Sequence, residues 1–224
     1  MAKSKDHVRS GQNRGRRVSR GRSLKPLVVF AVEGATERVY INALITHRYG
    51  NRIAPFFAET RDKSSLTNLV SEIERKMQRD GGAAEGAWIV CDTDANACHR
   101  EQLEKWLLQS ERHRVAISHP CIEYWFVLHF KVTARSLDAQ HVVKELDKEW
   151  LGGKSYKKGA SIPPDLINAT ENAIKRVRTR RQSLDSGADV WNSPQWTDMP
   201  ELVEWLDDLD PQSSARTLDS GNVS

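Results

Sequence analysis

No stretch of the chain approaches the roughly 18 consecutive apolar residues that a membrane-spanning helix requires, so no membrane span is expected. Its opening residues are basic and polar, with no apolar block behind them, and no secretory signal is expected from them. Cysteine is scarce. Cys91, Cys98 and Cys121 are odd in number and lack close pairs, which argues against a disulfide framework or a thiolate zinc site and suits a reducing cytoplasm. No internal repeat is present.

What the chain does have is a lopsided charge. The net charge is +4, yet Lys3, Lys5, Arg9, Arg14, Arg16, Arg17, Arg20, Arg22 and Lys25 crowd the start against Asp6 alone, leaving the remainder mildly acidic. With so few apolar groups, residues 1–25 cannot offset their ordering entropy, and a disordered basic arm is expected there. It is equally a solubilising tail or a contact for a polyanion, and salt-sensitive binding separates the two. Residues 26–209 read as one globular domain and residues 210–224 as a polar, loose tail.

The domain opens on Leu27-Val28-Val29-Phe30-Ala31-Val32, an unbroken apolar run of the kind found in strands covered on both faces. It stops at Glu33-Gly34 and gives way to an amphipathic helix over 36–48. A short strand over 53–57 and a helix carrying Leu66, Leu69, Val70, Ile73 and Met77 follow. Next comes the strand Ala87-Trp88-Ile89-Val90-Cys91, which runs into Asp92-Thr93-Asp94, and then a helix with Leu103, Trp106 and Leu107 on one face. A strand over 114–118 leads into His119-Pro120 and a helix bearing Ile122, Trp125, Phe126 and His129. Pro120 is expected in that helix's first turn, with Ser118 or His119 as its cap. This alternation predicts an α/β fold with a mainly parallel sheet flanked by helices. Further helices over 137–150, 165–181 and 201–209 are expected to pack on the same sheet.

Glu33, Asp92 and Asp94 each follow an apolar strand, at the edge where parallel sheets gather ligands. Converging carboxylates repel unless a cation joins them. Mg²⁺, or Mn²⁺ in its place, takes hard oxygen ligands and suits phosphoryl chemistry. Against this stands the plainer reading of Asp-x-Asp as a helix cap or solvated turn, at about even odds from the motif alone. Glu37 is read first as a partner of a helix N-terminus. Glu123, in the first turn of its helix, reads as dipole complementation, and His119 and His129 read more readily as packed side chains than as catalysts. Lys157 and Lys158 sit in a Gly- and Lys-rich segment, equally a solvated loop or a phosphate contact. Trp150, Trp191, Trp196 and Trp205 are expected in the core in preference to stacking on bases.

Taken together, Glu33-Gly34-Ala35-Thr36-Glu37 with Tyr40, the Asp92-Thr93-Asp94 strand end, and Ser118-His119-Pro120-Cys121-Ile122-Glu123-Tyr124-Trp125 with Leu128-His129-Phe130 resemble the RloB family. Tyr156-Lys157 and Asn192-Ser193-Pro194 are also similar, so the likeness runs over about residues 27–209. This is a Toprim-like group of phage-defence and abortive-infection loci. The resemblance implies a compact Toprim-like fold, Glu33 as general acid or base, and Asp92 and Asp94 holding Mg²⁺. It implies a nuclease acting on RNA, tRNA included, or on DNA, beside an ATPase of the ABC or SMC type, and it makes Glu123 the nearest additional site residue. Two positions depart from the pattern: His119 stands where Asn is expected, and Ala95-Asn96 where a further acid is common. Two other functions fit the residues: an Asp-based phosphotransfer domain with Asp92 as nucleophile, and a noncatalytic nucleic-acid or partner-binding subunit. Whether the chain forms a homo-oligomer is left open by the sequence.

Overall fold

The computed structural model describes residues 25–58, 66–79, 82–93, 100–133, 136–150, 155–184, 186–210 and 212. Residues 1–24 of the basic arm, Asp94, Cys98 and nearly all of the C-terminal tail lie outside these residues.

Parallel strands β1 (Leu27–Val32), β2 (Ala54–Phe57), β3 (Ala84–Asp92) and β4 (His113–His119) form a sheet in the order β2-β1-β3-β4-β5. The last strand, β5 (Trp196–Thr197), is antiparallel and pairs Ser118 with Thr197 and His119 with Trp196. The sheet therefore has the α/β character expected, with an edge strand that two residues without periodicity could not announce.

Because side chains alternate across a strand, each buried run feeds two layers. Val28, Phe30, Trp88, Val90 and Ala116 face one core, which they share with α1 (Ala35–His47), α4 (Glu123–Phe130), α5 (Ala139–Glu149), α6 (Pro164–Asn168), α7 (Thr170–Gln182) and α8 (Met199–Leu209). Val29, Ala31, Ala87, Ile89, Cys91 and Ile117 face the other, against α2 (Leu66–Arg79) and α3 (Arg100–Leu107). The C-terminal helices thus close over the sheet: Leu146, Leu166, Ile174 and Leu202 join the same cluster as Phe30. Leu103 and Trp106 of α3 are buried as expected, but Leu107 is exposed.

Helix α4 is apolar all round, the mark of a helix enclosed by protein, and every residue from Glu123 to His129 is buried. Its start differs from expectation. Pro120 lies before the helix, after a cis His119-Pro120 peptide bond, and α4 begins at Glu123 with Ile122 as N-cap and no side-chain cap. Ser118 and His119 are engaged elsewhere: Ser118 Oγ is 3.0 Å from Thr197 Oγ1, and His119 Nδ1 is hydrogen-bonded to Thr93 Oγ1. At the other end, Arg176 of α7 donates through Nη1 to the carbonyls of Leu128 (2.7 Å) and His129 (2.8 Å), satisfying acceptors a helix C-terminus leaves open. The single helix expected over 165–181 divides at Ala169 into α6 and α7.

Arg48 and Arg52 fasten the end of α1 to the last helix. Arg48 grips Asp207 bidentately at 2.9 and 2.7 Å, and Arg52 holds Asp210 at 2.5 Å. Asp210, expected at the start of the loose tail, is buried by this pairing. Of the four tryptophans expected in the core from the C-terminal part of the chain, Trp150 is buried, while Trp191, Trp196 and Trp205 are partly buried and pack against the two cores. Gly86 is required by one of them, since a Cβ there would lie 2.7 Å from the Trp205 ring.

His129 is buried among rings, 4.7 Å from Trp125 and 6.4 Å from Tyr40. Nδ1 lies 2.9 Å from the Trp125 carbonyl, a donor role, and Nε2 has no hydrogen-bond partner among the described residues. Burial drives its pKa down to about 4, so the ring is neutral. An unfolded histidine titrates near 6.5. Between these values the unfolded chain binds more protons, so stability falls as pH drops through the window, by up to about 3 kcal/mol. Urea midpoints at pH 7 and pH 5 should separate by more in the original protein than in His129→Leu; an equal separation would refute the buried neutral ring.

Candidate functional site at the carboxyl ends of the central strands

The parallel order carries β1, β3 and β4 to one rim of the sheet, and each ends on polar residues. Glu33 follows β1, Asp92 closes β3 with Thr93 after it, and Ser118 and His119 close β4. The helices that start at this rim add Glu37, in the first turn of α1, and Glu123, at the first position of α4.

The sheet itself joins the first two. Glu33 N donates to Val90 O at 3.2 Å, extending the β1–β3 ladder by one residue, and Asp92 N donates to Glu33 Oε2 at 3.2 Å. Asp92 is 9% exposed, buried but at the rim. A carboxylate fixed by a neighbouring strand's backbone is held in direction as well as place. Thr93 N donates to Ser118 O at 3.1 Å, continuing the β3–β4 ladder past Asp92, and Thr93 Oγ1 meets the His119 ring. His119 is therefore a neighbour of the Asp92 strand end rather than a helix cap.

Glu37 and Glu123 are more deeply enclosed than the strand-end pair, at 5% and 1% exposure. Burial pushes the Glu37 carboxyl up to about 7; its own backbone N–H pulls down, the charges of Glu123 and Glu33 push up, and Lys158 opposes them. A group at a helix N-terminus placed only to complement the dipole would stay ionised and solvated, so the first reading of Glu37 understates it. A Cβ at Gly34 would stand 2.8 Å from Glu37 Oε2, so the glycine leaves room for this carboxyl over the turn. Glu123 Oε1 accepts from Tyr156 Oη at 2.9 Å, while Oε2 is buried without a hydrogen-bond partner among the described residues.

Residues 155–160 lie against this rim. Gly159 N donates to Thr36 Oγ1 at 3.0 Å, Tyr156 reaches Glu123, and Tyr156 N donates to Asp147 at 2.6 Å. Lys157 and Lys158 are exposed, and Lys158 is near enough to Glu37 to counter its charge. Motif reading missed Tyr156 as a ligand of a buried carboxylate; its tyrosine-lysine signature was visible, its partner 33 residues away was not. Burial also raises the thiol pKa values of Cys91 and Cys121, with Glu33 and Asp92 adding to the first and Glu123 and Asp92 to the second.

The rim thus brings together Glu33 and Asp92 directly and sets Glu37 and Glu123 within electrostatic reach. All donors are carboxylate oxygens, and Glu123 Oε2 is an orphaned acceptor, a set whose chemistry fits a hard divalent cation such as Mg²⁺. Among the described residues no group of three His, Cys, Asp or Glu side chains is arranged to hold an ion. Asp94, expected as a ligand with Glu33 and Asp92, lies outside those residues.

Fold and rim define the class: an α/β protein with an acidic cluster at the carboxyl ends of parallel strands. The model of the family described as RloB-like protein matches residues 28–206, and the chain belongs to that family. Comparison with curated proteins and with solved structures gives no match. No helix among the described residues is long and apolar enough to cross a membrane.

Proposed function

We propose that the chain is a Mg²⁺- or Mn²⁺-dependent endonuclease of Toprim type, cutting RNA, including tRNA, in preference to DNA. The observation that carries this reading is the bond from Asp92 N to Glu33 Oε2, which fixes the Glu33 carboxylate against the end of β3, at the rim where burial and like charge push the Glu37 carboxyl up to about 7. A site that raises a carboxyl in this way gains most from a cation.

Glu33, Asp92 and Asp94 would hold the ion, which would supply charge neutralisation at the phosphate and a more acidic water. Glu33 accepts the proton of the attacking water as general base. Glu37 and Glu123 stand buried beside them, with Tyr156 holding Glu123 in direction. Lys157 and Lys158, exposed at the rim, contact the phosphates on either side of the cut and fix the strand's position without reading its bases. The reading extends, by resemblance to the family's defence loci, to a role in antiphage defence under the control of an ABC- or SMC-type ATPase.

The purified chain, incubated with tRNA, single-stranded RNA and plasmid in Mg²⁺, Mn²⁺ or EDTA, should cut RNA with either metal and not in EDTA. Cutting that persists undiminished in EDTA sinks the proposal. The second reading is a noncatalytic nucleic-acid-binding subunit, and it draws on the fact that no three described ligands are arranged around one point. It wins if RNA is bound but never cut, with or without the ATPase. An aspartyl phosphotransfer role draws less support, since the Asp92 side chain is buried at its strand end.

A further inference from the structure

On the β5 side of the sheet, Tyr124 of α4, Arg180 of α7 and Gln195, just before β5, line one cavity of about 10 Å³. That is roughly the volume of a single water-sized sphere. Each of the three residues carries a buried polar atom with no hydrogen-bond partner among the described residues: Tyr124 Oη, Arg180 Nε and Gln195 Nε2. Tyr124 is 2% exposed and Gln195 1%, so bulk water does not reach their polar ends.

The other end of the Gln195 amide sets its direction. Oε1 accepts from Thr133 Oγ1 at 3.1 Å and from Arg180 Nη2 at 3.2 Å, which assigns the donor, Nε2, to the remaining side. Arg180 donates through Nη1 to the Thr133 carbonyl at 3.3 Å and through Nη2 to Gln195, leaving Nε. Both acceptors are neutral, so no described carboxylate answers this half-buried charge. Arg181, which also lines the cavity, is by contrast paired with Asp198 and Glu201. Burial raises the pKa of the Tyr124 hydroxyl against the opposing charge of Arg180, so the phenol is a protonated donor within electrostatic reach of the guanidinium.

A water molecule suits this set poorly. Its oxygen accepts two hydrogen bonds, against three donor groups here, and its own hydrogens need acceptors. Of the three groups only the Tyr124 hydroxyl can accept. An anion accepts from all three and gives the guanidinium the partner that a charge withdrawn from water requires. The volume admits a monoatomic ion and excludes phosphate, sulfate or a carboxylate. Gln195 ends the Asn192-Ser193-Pro194 segment, which the acidic rim does not use, and Tyr124 directly follows Glu123 of that rim. An ion here would tie the β5 segment, α4 and α7 together one residue from the acidic cluster.

We infer that this cavity is a chloride site, the ion held by the Tyr124 hydroxyl, Arg180 Nε and Gln195 Nε2. The test needs neither metal nor RNA, so its failure leaves the nuclease reading untouched. The full chain is melted in EDTA with potassium chloride, bromide, gluconate or sulfate at one ionic strength. Exclusion of salt from the protein surface stabilises most in sulfate. A site predicts the reverse order, with chloride and bromide above both and an effect that saturates. At about ten times the dissociation constant, chloride should raise the melting temperature by about 3–6 °C. Tyr124→Phe should melt lower than the original in chloride but no lower in gluconate. It should weaken chloride binding about tenfold, the loss of one hydrogen bond to a charged group. Gln195→Glu sets a carboxylate oxygen where the amide donor stands and should no longer respond to chloride. Broadening of the ³⁵Cl resonance measures binding directly on the original and both variants, and on the original alone should a variant not fold.

Equal melting of the original in chloride and gluconate, or no ³⁵Cl broadening by it, overturns the site. So does a Tyr124→Phe effect of the same size in both salts, which is what a packing role alone would give. Inorganic phosphate that narrows the chloride line at comparable concentration would show the cavity taking a larger anion, and likewise overturns it.

Discussion

Glu33→Gln is expected to lower metal-dependent RNA cleavage by at least about 100-fold, the range lost when a positioned general base is removed. Asp92→Asn should do the same through the ion alone. Melting separates the site from a general loss of fold. Without metal the original protein carries several acidic groups at one rim, and burial and like charge hold Glu37 up to about 7. Removing the Glu33 charge relieves that repulsion, so Glu33→Gln should melt no lower than the original in EDTA. A saturating divalent cation that binds only the folded state should then raise the melting temperature of the original by several degrees, since excess ligand at 100 times its dissociation constant contributes about 2.7 kcal/mol. The same addition should move Glu33→Gln much less. Cleavage by Glu33→Gln at the original rate, or an identical cation response in both, would remove Glu33 from the centre.

The second large effect concerns stability. Phe126→Ala should cost about 3–5 kcal/mol, the range for emptying a fully enclosed aromatic site. Phe126 has no exposure, its ring lies 5.3 Å from that of Tyr40 at a tilt of 38° and 6.5 Å from that of Tyr156, so its removal opens a cavity between α4, α1 and the segment that reaches Glu123. Urea denaturation monitored by far-ultraviolet circular dichroism measures it. A loss under about 1 kcal/mol would mean the helices close over the gap and that α4 is not the enclosed element described. Because Glu123 begins this helix, the variant should lose RNA cleavage before it loses its secondary structure as temperature rises.

How much of this could be read from the residues depends on how far apart the partners lie. The three central strands were legible because Val28 to Val32, Trp88 to Cys91 and Val115 to Ile117 are continuous apolar runs covered on both faces. The placement of Glu33 and Asp92 followed from strand ends and parallel order alone. Strand β5 was not legible, because two residues carry no periodicity and its pairing depends on Ser118 and His119 arriving beside it. The division at Ala169 lacks a Gly or Pro to mark it. Pro120 reads as a helix start from local preference, but the strand pairing of Ser118 and His119 holds the chain extended up to that proline and delays α4 to Glu123. Glu37 was undervalued because the pattern shows a helix N-terminus and not the burial above it.

The sheet's two rims have unequal defences against growth. At one, β5 offers only two residues to an incoming strand. At the other, β2 is longer, but Arg38, Lys76 and Arg79 stand along it. A second copy laid antiparallel against β2 would bring its own arginines and lysine up to these, and like charges set opposite one another oppose the pairing. Sheet-to-sheet growth of this chain at β2 is therefore opposed by cations that the flanking helices α1 and α2 supply, not by the strand's own residues.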